Sequence, residues 1–453
     1  MKLKSVLSLI IISSLVIFSG CIGGQDEEQL SIDLNISGGE ELKELENLQK
    51  LVKQQKDQLK QLENQMTEKK TTGGNKAEIT KLQKQIAEQK SAVVQASKMV
   101  SSVKTEKGKY VWSMFGAVPS HNMYNGYNIL TPLEFKWKFK AGLGFDASPV
   151  MDVSNIYIGS KDMNFYALEK SSGQVVWKLP AQANISSTAA LYGGNLYYGT
   201  EGGFVFAVSA QRGKVIWKTK LEGAVKFSSP AIYAGMVYVG CMDNNFYALD
   251  RATGAVKWVH KTLVPIAGSP TVANGMVYIG GLDGKMYALD LDNGQVQWQF
   301  QSGNAISSTP AEEAGVIYFG SDDKKVYALD AMNGGVKWSF ATEGFVQSSP
   351  VIKDGVLFIG SRDKFMYAIN TANGKLLWKT DAGGRVMSMP LLVNNLVYIG
   401  VDKELLAFDA KSGEKKWAFK TDYRILSSCI ADEGVVYFAD TEASVYAMES
   451  AAK

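Results

Sequence analysis

Apolar positions recur along this chain with three different periods, and each marks a different kind of element. Near the N-terminus, Val6 to Phe18 is an apolar run broken only by Ser, with Lys2 and Lys4 ahead of it. From Leu45 the apolar residues return every seven: Leu45, Val52, Leu59 and Met66, with Leu48 and Leu62 interleaved. The stripe resumes after Gly73-Gly74 with Ile79, Leu82, Ile86, Val93, Ala96 and Val100. This spacing predicts two helical segments carrying a coiled-coil seam. Beyond residue 130 the helical period is gone. Short runs rich in Val, Ile, Tyr and Phe follow, cut every few residues by Gly, Asn or Asp, and read as β-strands joined by tight turns.

The strand region repeats. Tryptophans stand at Trp137, Trp177, Trp217, Trp258, Trp298, Trp338, Trp378 and Trp417, a mean interval of about 40 residues with no interval off by more than one. One unit predicts strands at Ser228–Ile232, Met236–Gly240, Asn245–Leu249 and Ala255–Val259. Four antiparallel strands in that length make one blade of a β-propeller. The chain supplies Trp137 before any Tyr-Ala-Leu element and ends after Tyr446-Ala447-Met448 with no Trp to follow. The strand around Trp137 is therefore expected to complete the blade begun by residues 427 to 449. The predicted fold is all-β: an eight-bladed propeller closed by an N-terminal strand. A linear solenoid would need polar caps that neither end of the repeat array shows.

Within each unit the pattern typified by Ala248, Asp250, Gly254 and Trp258 has a structural account. The Asp bonds its own turn, the Gly takes a backbone angle closed to other residues, and the Trp packs between blades. All eight tryptophans are assigned to blade docking. Asp162, Asp243, Asp283, Asp323 and Asp363 suggest metal ligands, but each belongs to a different unit, and turn formation is the reading adopted.

Composition narrows the functions. The chain has 453 residues, 46% apolar and 21% charged, with formal net charge +3. The excess of lysine lies between Glu40 and Thr105; from Tyr110 onward acidic and basic residues balance. Nothing here points to nucleic acid as a partner. Three cysteines and two histidines, with no CxxC spacing, offer no zinc or haem site, and no metal or other cofactor is expected. Cys241 and Cys429 fall in different units and are read as small buried side chains, and His260 as a partly exposed structural residue of an outer strand.

The N-terminal run reads as an export signal over residues 1–20. Ser19-Gly20-Cys21 resembles the lipobox of prokaryotic lipoproteins, which makes Cys21 the lipid attachment site and the protein an extracytoplasmic, membrane-anchored lipoprotein. Residues 21–39 read as a flexible linker, 40–105 as a coiled coil or helical hairpin, and 106–453 as the propeller. The seam needs a partner: either the second segment folds back on the first, or the chain forms a homo-oligomer. Asn35 and Asn184 begin N-glycosylation sequons.

The tryptophan-centred repeat, together with Trp112-Ser113-Met114-Phe115-Gly116 and Asn122, resembles the pyrroloquinoline-quinone-dehydrogenase-like propellers. That family holds quinoprotein dehydrogenases with a catalytic quinone and Ca²⁺. It also holds cofactor-free members, among them a lipid-anchored scaffold subunit of the outer-membrane β-barrel assembly machinery, the member nearest in layout. The chain lacks the adjacent-cysteine pair of the alcohol dehydrogenases, and its uniform units leave little room for an inserted active-site loop. The expectation is a non-enzymatic scaffold that binds protein partners of the cell envelope. The alternatives are a small molecule or polysaccharide in the propeller channel, and a quinone-dependent dehydrogenase. Segments ahead of the innermost strands vary most between units, and such variation serves binding. They give Phe145, Lys226, Phe227, Phe345, Arg385, Tyr423 and Arg424 as partner-binding candidates.

Overall fold

A computed structural model describes residues 58–70, 75, 78–87, 89, 129 and 131–451, plus three two-residue strands at Asn35–Ile36, Lys104–Thr105 and Tyr124–Asn125. The predicted signal, Cys21, most of the predicted linker and of the heptad stripe, and the Trp112–Gly116 segment lie outside the described residues. The chain divides into two compact units, Met1–Lys109 and Tyr110–Lys453.

In the first unit, helices cover 58–70 and 78–87. Leu59 and Ile86 are buried against each other, with Leu62 and Met66 packed beside them, and Lys69 pairs with Glu78 at 3.0 Å. Within one chain, then, the second heptad segment meets the first. No helix among the described residues is long and apolar enough to cross a membrane.

The second unit is an eight-bladed β-propeller. Each blade has four antiparallel strands, named a to d from the channel outward; in blade 3 these are Ala231–Tyr233, Met236–Gly240, Asn245–Asp250 and Val256–Lys261. Strand a is shorter than the sequence suggests: the Ser229 amide donates to Ser269 Oγ of the next blade and the Ser228 hydroxyl accepts from Gly240 N, so neither residue joins the ladder. Blade 1 begins at Val150–Met151, and blade 8 is built from both ends of the array. Its strands Ile430–Asp432, Val435–Ala439 and Ser444–Ser450 take Leu133–Lys140 as the outermost strand, in the register Ala447 opposite Trp137. Closure removes the free edge that an open array would expose.

Two ends of the ring differ in what they hold. The a–b and c–d turns lie on one face, where docking occurs. Seven indole N–H groups, from Trp137 through Trp378, donate to a c–d turn carbonyl of the next blade at 2.7–3.1 Å. Each ring also lies on a turn glycine: a Cβ on Gly254, at φ +74°, would come within 2.5 Å of the Trp217 ring. Trp417 makes no such indole bond among the described residues. Its neighbouring blade is blade 8, whose c and d strands are not joined by a turn.

The b–c turns and d–a loops form the opposite, loop face. Each loop drives one apolar anchor into the ring: Phe145, Ile185, Val225, Ile266, Ile306, Val346, Val386 and Ile425 are all buried. The anchor sits at the C-terminal end of strand b in the preceding blade. A Cβ on Gly240 would meet Ile266 at 2.5 Å, so glycine is required there. Inside the anchors, backbone amides donate to hydroxyls of the next blade, and Ser428 N to Ser148 Oγ at 2.8 Å carries this girdle across the closure.

One element has no counterpart in the repeat. Tyr124–Asn125 pairs in parallel with the innermost strand of blade 7, Leu391–Val393. The carbonyl of buried Ile129 then accepts a bond from Asn394 Nδ2 at 3.2 Å. Strand a of blade 7 is Leu391-Leu392-Val393, apolar and buried throughout.

Candidate functional site

The turn aspartates are accounted for by their own blades. Tyr166, Tyr247, Tyr287, Tyr327 and Tyr367 each donate a phenol proton to Asp162, Asp243, Asp283, Asp323 and Asp363 at 2.5–2.7 Å. The other carboxylate oxygen takes a turn amide, as Lys285 N does at 3.0 Å on Asp283. Burial, then the bond to Asp283, pushes the Tyr287 phenol well up from its ordinary value. Blade 2 has Gly202 and Phe206 at these two positions, so both partners are absent together. Among the described residues no group of three or more His, Cys, Asp or Glu side chains could hold a metal ion. Cys241 and Cys429 are free and buried; burial raises their thiols to about 11 and about 12.

The loop face departs from the repeat at two places, and both contain candidate residues. In seven loops a single residue separates the anchor from the residue at the next loop position, as Ser186 separates Ile185 from Ser187, which caps Gly199 N. In the loop into blade 3 two residues stand there, Lys226 and Phe227, before Ser228 caps Gly240 N at 2.9 Å. Phe227 is the insertion. Its backbone is left-handed at φ +67°, and its ring is 51% exposed. Lys226 Nζ lies 5.0 Å above that ring and 3.5 Å from Glu201 Oε1, which also takes Ser186 Oγ at 3.1 Å.

The second departure is a deletion. The b–c turn of blade 7 has lost a residue, leaving Asp402-Lys403 between Leu396–Val401 and Glu404–Asp409. Leu406 stands where six other blades have a tyrosine, so Asp402 lacks that donor; Arg424 lies 3.6 Å from it instead. The Trp217–Trp258 interval of 41 and the Trp378–Trp417 interval of 39 are the sequence traces of these two events.

The remaining candidates divide. Phe345, Arg385 and Arg424 occupy one repeat position, directly before the anchor, on three consecutive loops. Phe345 is 36% exposed beneath the Arg362 guanidinium at 5.7 Å; Tyr423 is 46% exposed; Arg385 and Arg424 are exposed. Lys226 and Phe227 lie on the other side of the ring, in blade 3. Phe145 is a correction: it is the anchor of the loop into blade 1, 0% exposed, its amide bonded to Asp440 O at 3.1 Å. Counting it as a loop tip overlooked that every unit has an apolar residue at that position. Sequence reasoning also missed Leu263, 84% exposed, and Leu282, 37% exposed, which extend the apolar sector around Phe227. The loop Leu263-Val264-Pro265 has neither glycine nor charge, a signal available from the sequence.

Docked tryptophans, four-stranded blades and strand exchange between the termini define the class: a closed, tryptophan-docked eight-bladed propeller. The family described as outer membrane protein assembly factor BamB matches residues 96–197, 166–302, 201–349, 300–378 and 322–452, and the chain belongs to it. BamB from Moraxella catarrhalis superposes with TM-score 0.62 at 18% identity, over 70% of this chain and 99% of that one. The quinohemoprotein alcohol dehydrogenase ADHIIG from Pseudomonas putida HK5 superposes with TM-score 0.67 at 15% identity, over 76% and 81%. The computationally designed Ika8 protein gives 0.62 at 15% identity, over 68% and 97%. These likenesses establish the fold. No curated protein matches the sequence.

Proposed function

We propose that the protein is a non-enzymatic, membrane-tethered extracytoplasmic scaffold that binds protein partners through the loop face of the propeller. The observation that carries this reading is Phe227: one inserted residue holds an aromatic ring out of the core at the cost of a left-handed backbone. Strained backbone of this kind persists where function requires it. Exposed aromatics and arginines are the residue types that anchor protein interfaces, and Phe345, Arg385, Tyr423 and Arg424 supply them on the neighbouring sector. The other face holds the tryptophan docks, and at blade 7 the Ile129 carbonyl accepts a bond from Asn394 there.

The test is an affinity pull-down from solubilised membranes with the full chain as bait. Phe227→Ala and Arg385→Ala/Arg424→Ala should each lose proteins that the unaltered chain recovers. Recovery of the same proteins in all three baits overturns the loop face as the contact surface. Stoichiometric retention of added pyrroloquinoline quinone with Ca²⁺, together with dye reduction, overturns the scaffold reading itself.

A further inference from the structure

The outermost strands carry a charge pattern that neither docking nor partner binding uses. Across the eight d strands there are thirteen lysines against two acidic residues, Glu134 and Asp381. In the three inner strands of all blades only Lys285, Lys325 and Lys353 are lysines. The propeller is neutral as a whole, so its charge is segregated outward by the fold.

Lysine on an open edge strand guards against edge-to-edge pairing, and that explains a lysine in almost every blade. It does not explain what accompanies the lysines in blades 8, 1 and 2. There the d strands Leu133–Lys140, Val175–Pro180 and Val215–Lys220 place Lys136, Lys138, Lys140, Lys178, Lys218 and Lys220 at exposed positions, with one acid, Glu134. Lys136 pairs with Glu449 at 2.7 Å; Lys178 and Lys218 lie over the rings of Tyr166 and Phe204. The same strands expose Phe135, Val175, Val176, Val215 and Ile216.

Comparison by repeat position isolates the anomaly. The residue two before each Trp is apolar in seven blades, but the residue one before it is Lys or Gln in five: Lys136, Lys257, Gln297, Lys337 and Lys416. It becomes Val176 and Ile216 in the adjacent blades 1 and 2. Blade 6 has the pair Leu376-Leu377 too and, like blade 1, a single lysine, but there Asp381 stands on the same strand.

We infer that the outer wall of blades 8, 1 and 2 rests on an anionic lipid surface. Exposed aliphatics flanked by lysines are the chemistry that binds such a surface: apolar groups enter the headgroup boundary while ammonium groups meet lipid phosphates. Three blades of eight subtend roughly a third of the ring. Blade 1 would therefore touch with Val175 and Val176, and the lysines of blades 8 and 2 would reach across the gap left by the curvature. The propeller then stands on edge with the loop face turned sideways, open to partners on the same membrane. This holds whether or not Cys21 carries a lipid.

The experiment places a fluorophore at Val176→Cys, or at Gln297→Cys, the same repeat position in blade 4. Cys241 and Cys429, being buried, stay unlabelled, and Cys21 is replaced by Ser so that the introduced thiol alone takes the label. The full chain is reconstituted into vesicles containing nitroxide-labelled lipid, either phosphatidylcholine alone or an equimolar mixture with phosphatidylglycerol. Quenching at 176 should exceed that at 297 by about threefold in the anionic vesicles, and the excess should vanish in phosphatidylcholine or high salt. Lys178→Glu/Lys218→Glu should bring position 176 down to the level of 297. Equal quenching at the two positions, or an excess indifferent to anionic lipid, overturns the inference. So does charge-dependent retention on an acidic polysaccharide without any excess quenching at 176.

Discussion

The two faces of the propeller are made from the same eight repeats and differ in how strictly they keep them. On the docking face, seven of eight units place an indole on a glycine and bond its N–H to a turn carbonyl, and the one exception is forced by the chain break in blade 8. On the loop face, only the buried apolar anchor is constant, over a glycine in seven units and near Ala439 in the eighth; the residues on either side of it vary between units. Regularity follows burial here. A group packed between two blades is fixed by both, whereas a loop tip answers only to what it meets outside.

The comparison is broken most forcefully at a docked tryptophan. Trp258→Ala should cost about 3–5 kcal/mol, because a large buried ring is lost between two blades that cannot collapse onto the gap. Trp417→Ala should cost less by about 1 kcal/mol or more, since no indole bond and no turn glycine are lost with it. Urea denaturation midpoints at equal m-value measure both. Equal costs would mean that docking contributes nothing beyond apolar area.

The closure comes next. Lys170 of blade 1 pairs with the buried Asp432 of blade 8 across the point where the termini meet. Lys170→Ala leaves that carboxylate buried without its charge partner and should destabilise by about 3 kcal/mol. Lys136→Ala breaks an outer pair whose lysine is half-exposed, and should cost no more than about 1 kcal/mol. If the two variants unfold at the same denaturant concentration, the Lys170 pair is not part of what holds the ring shut.

A smaller effect depends on pH. His260 lies in the outer strand of blade 3, edge-on to Tyr287 at 5.6 Å, and its Nε2 is buried with no hydrogen-bond partner among the described residues. Burial holds its pKa below the usual value, against a weaker opposing effect from Gly294. The folded chain thus prefers the neutral ring and the unfolded chain takes up the proton first. The contribution to stability is complete above the unfolded value of about 6.5 and is lost as pH falls through it toward the depressed folded value. His260→Phe should therefore narrow the difference between denaturation midpoints at pH 7.5 and pH 5. An unchanged difference would show that the buried nitrogen is solvated after all.

Much of the docking face was legible in the sequence, since Asp250, Gly254 and Trp258 recur with the spacing that a blade imposes. The count and the closing strand at Trp137 were legible for the same reason. What escaped were features set by contacts between units. The tyrosine that satisfies each turn aspartate sits four residues on, within the Tyr-Ala-Leu element, and its purpose appears only once strand c curls back over the turn. Phe145 resembled a loop tip because its burial comes from Ala439 and Asp440, some three hundred residues away in sequence and neighbours only through closure. The pairing of Tyr124–Asn125 with blade 7 likewise had no periodic signal to betray it. The insertion at Phe227 did leave a trace, a single interval of 41, and the regularity around it is what makes one extra residue meaningful.

Phe227 also sharpens the comparison where the expected change is smallest and its sign is reversed. On the docking face, replacing a repeat residue should always cost stability. At Phe227 the backbone is left-handed and the ring half in water, so Phe227→Gly removes a strained non-glycine residue and little buried area. The fold should gain up to about 1 kcal/mol, or at worst lose a few tenths, after the flexibility glycine adds to the unfolded chain. The same substitution should abolish recovery of the partners that depend on the exposed ring. A more stable propeller that binds less would mark the insertion as kept for recognition at the expense of the fold. A clearly destabilised variant would instead make Phe227 a packing residue of the mouth, and the loop face would lose its best evidence for a partner.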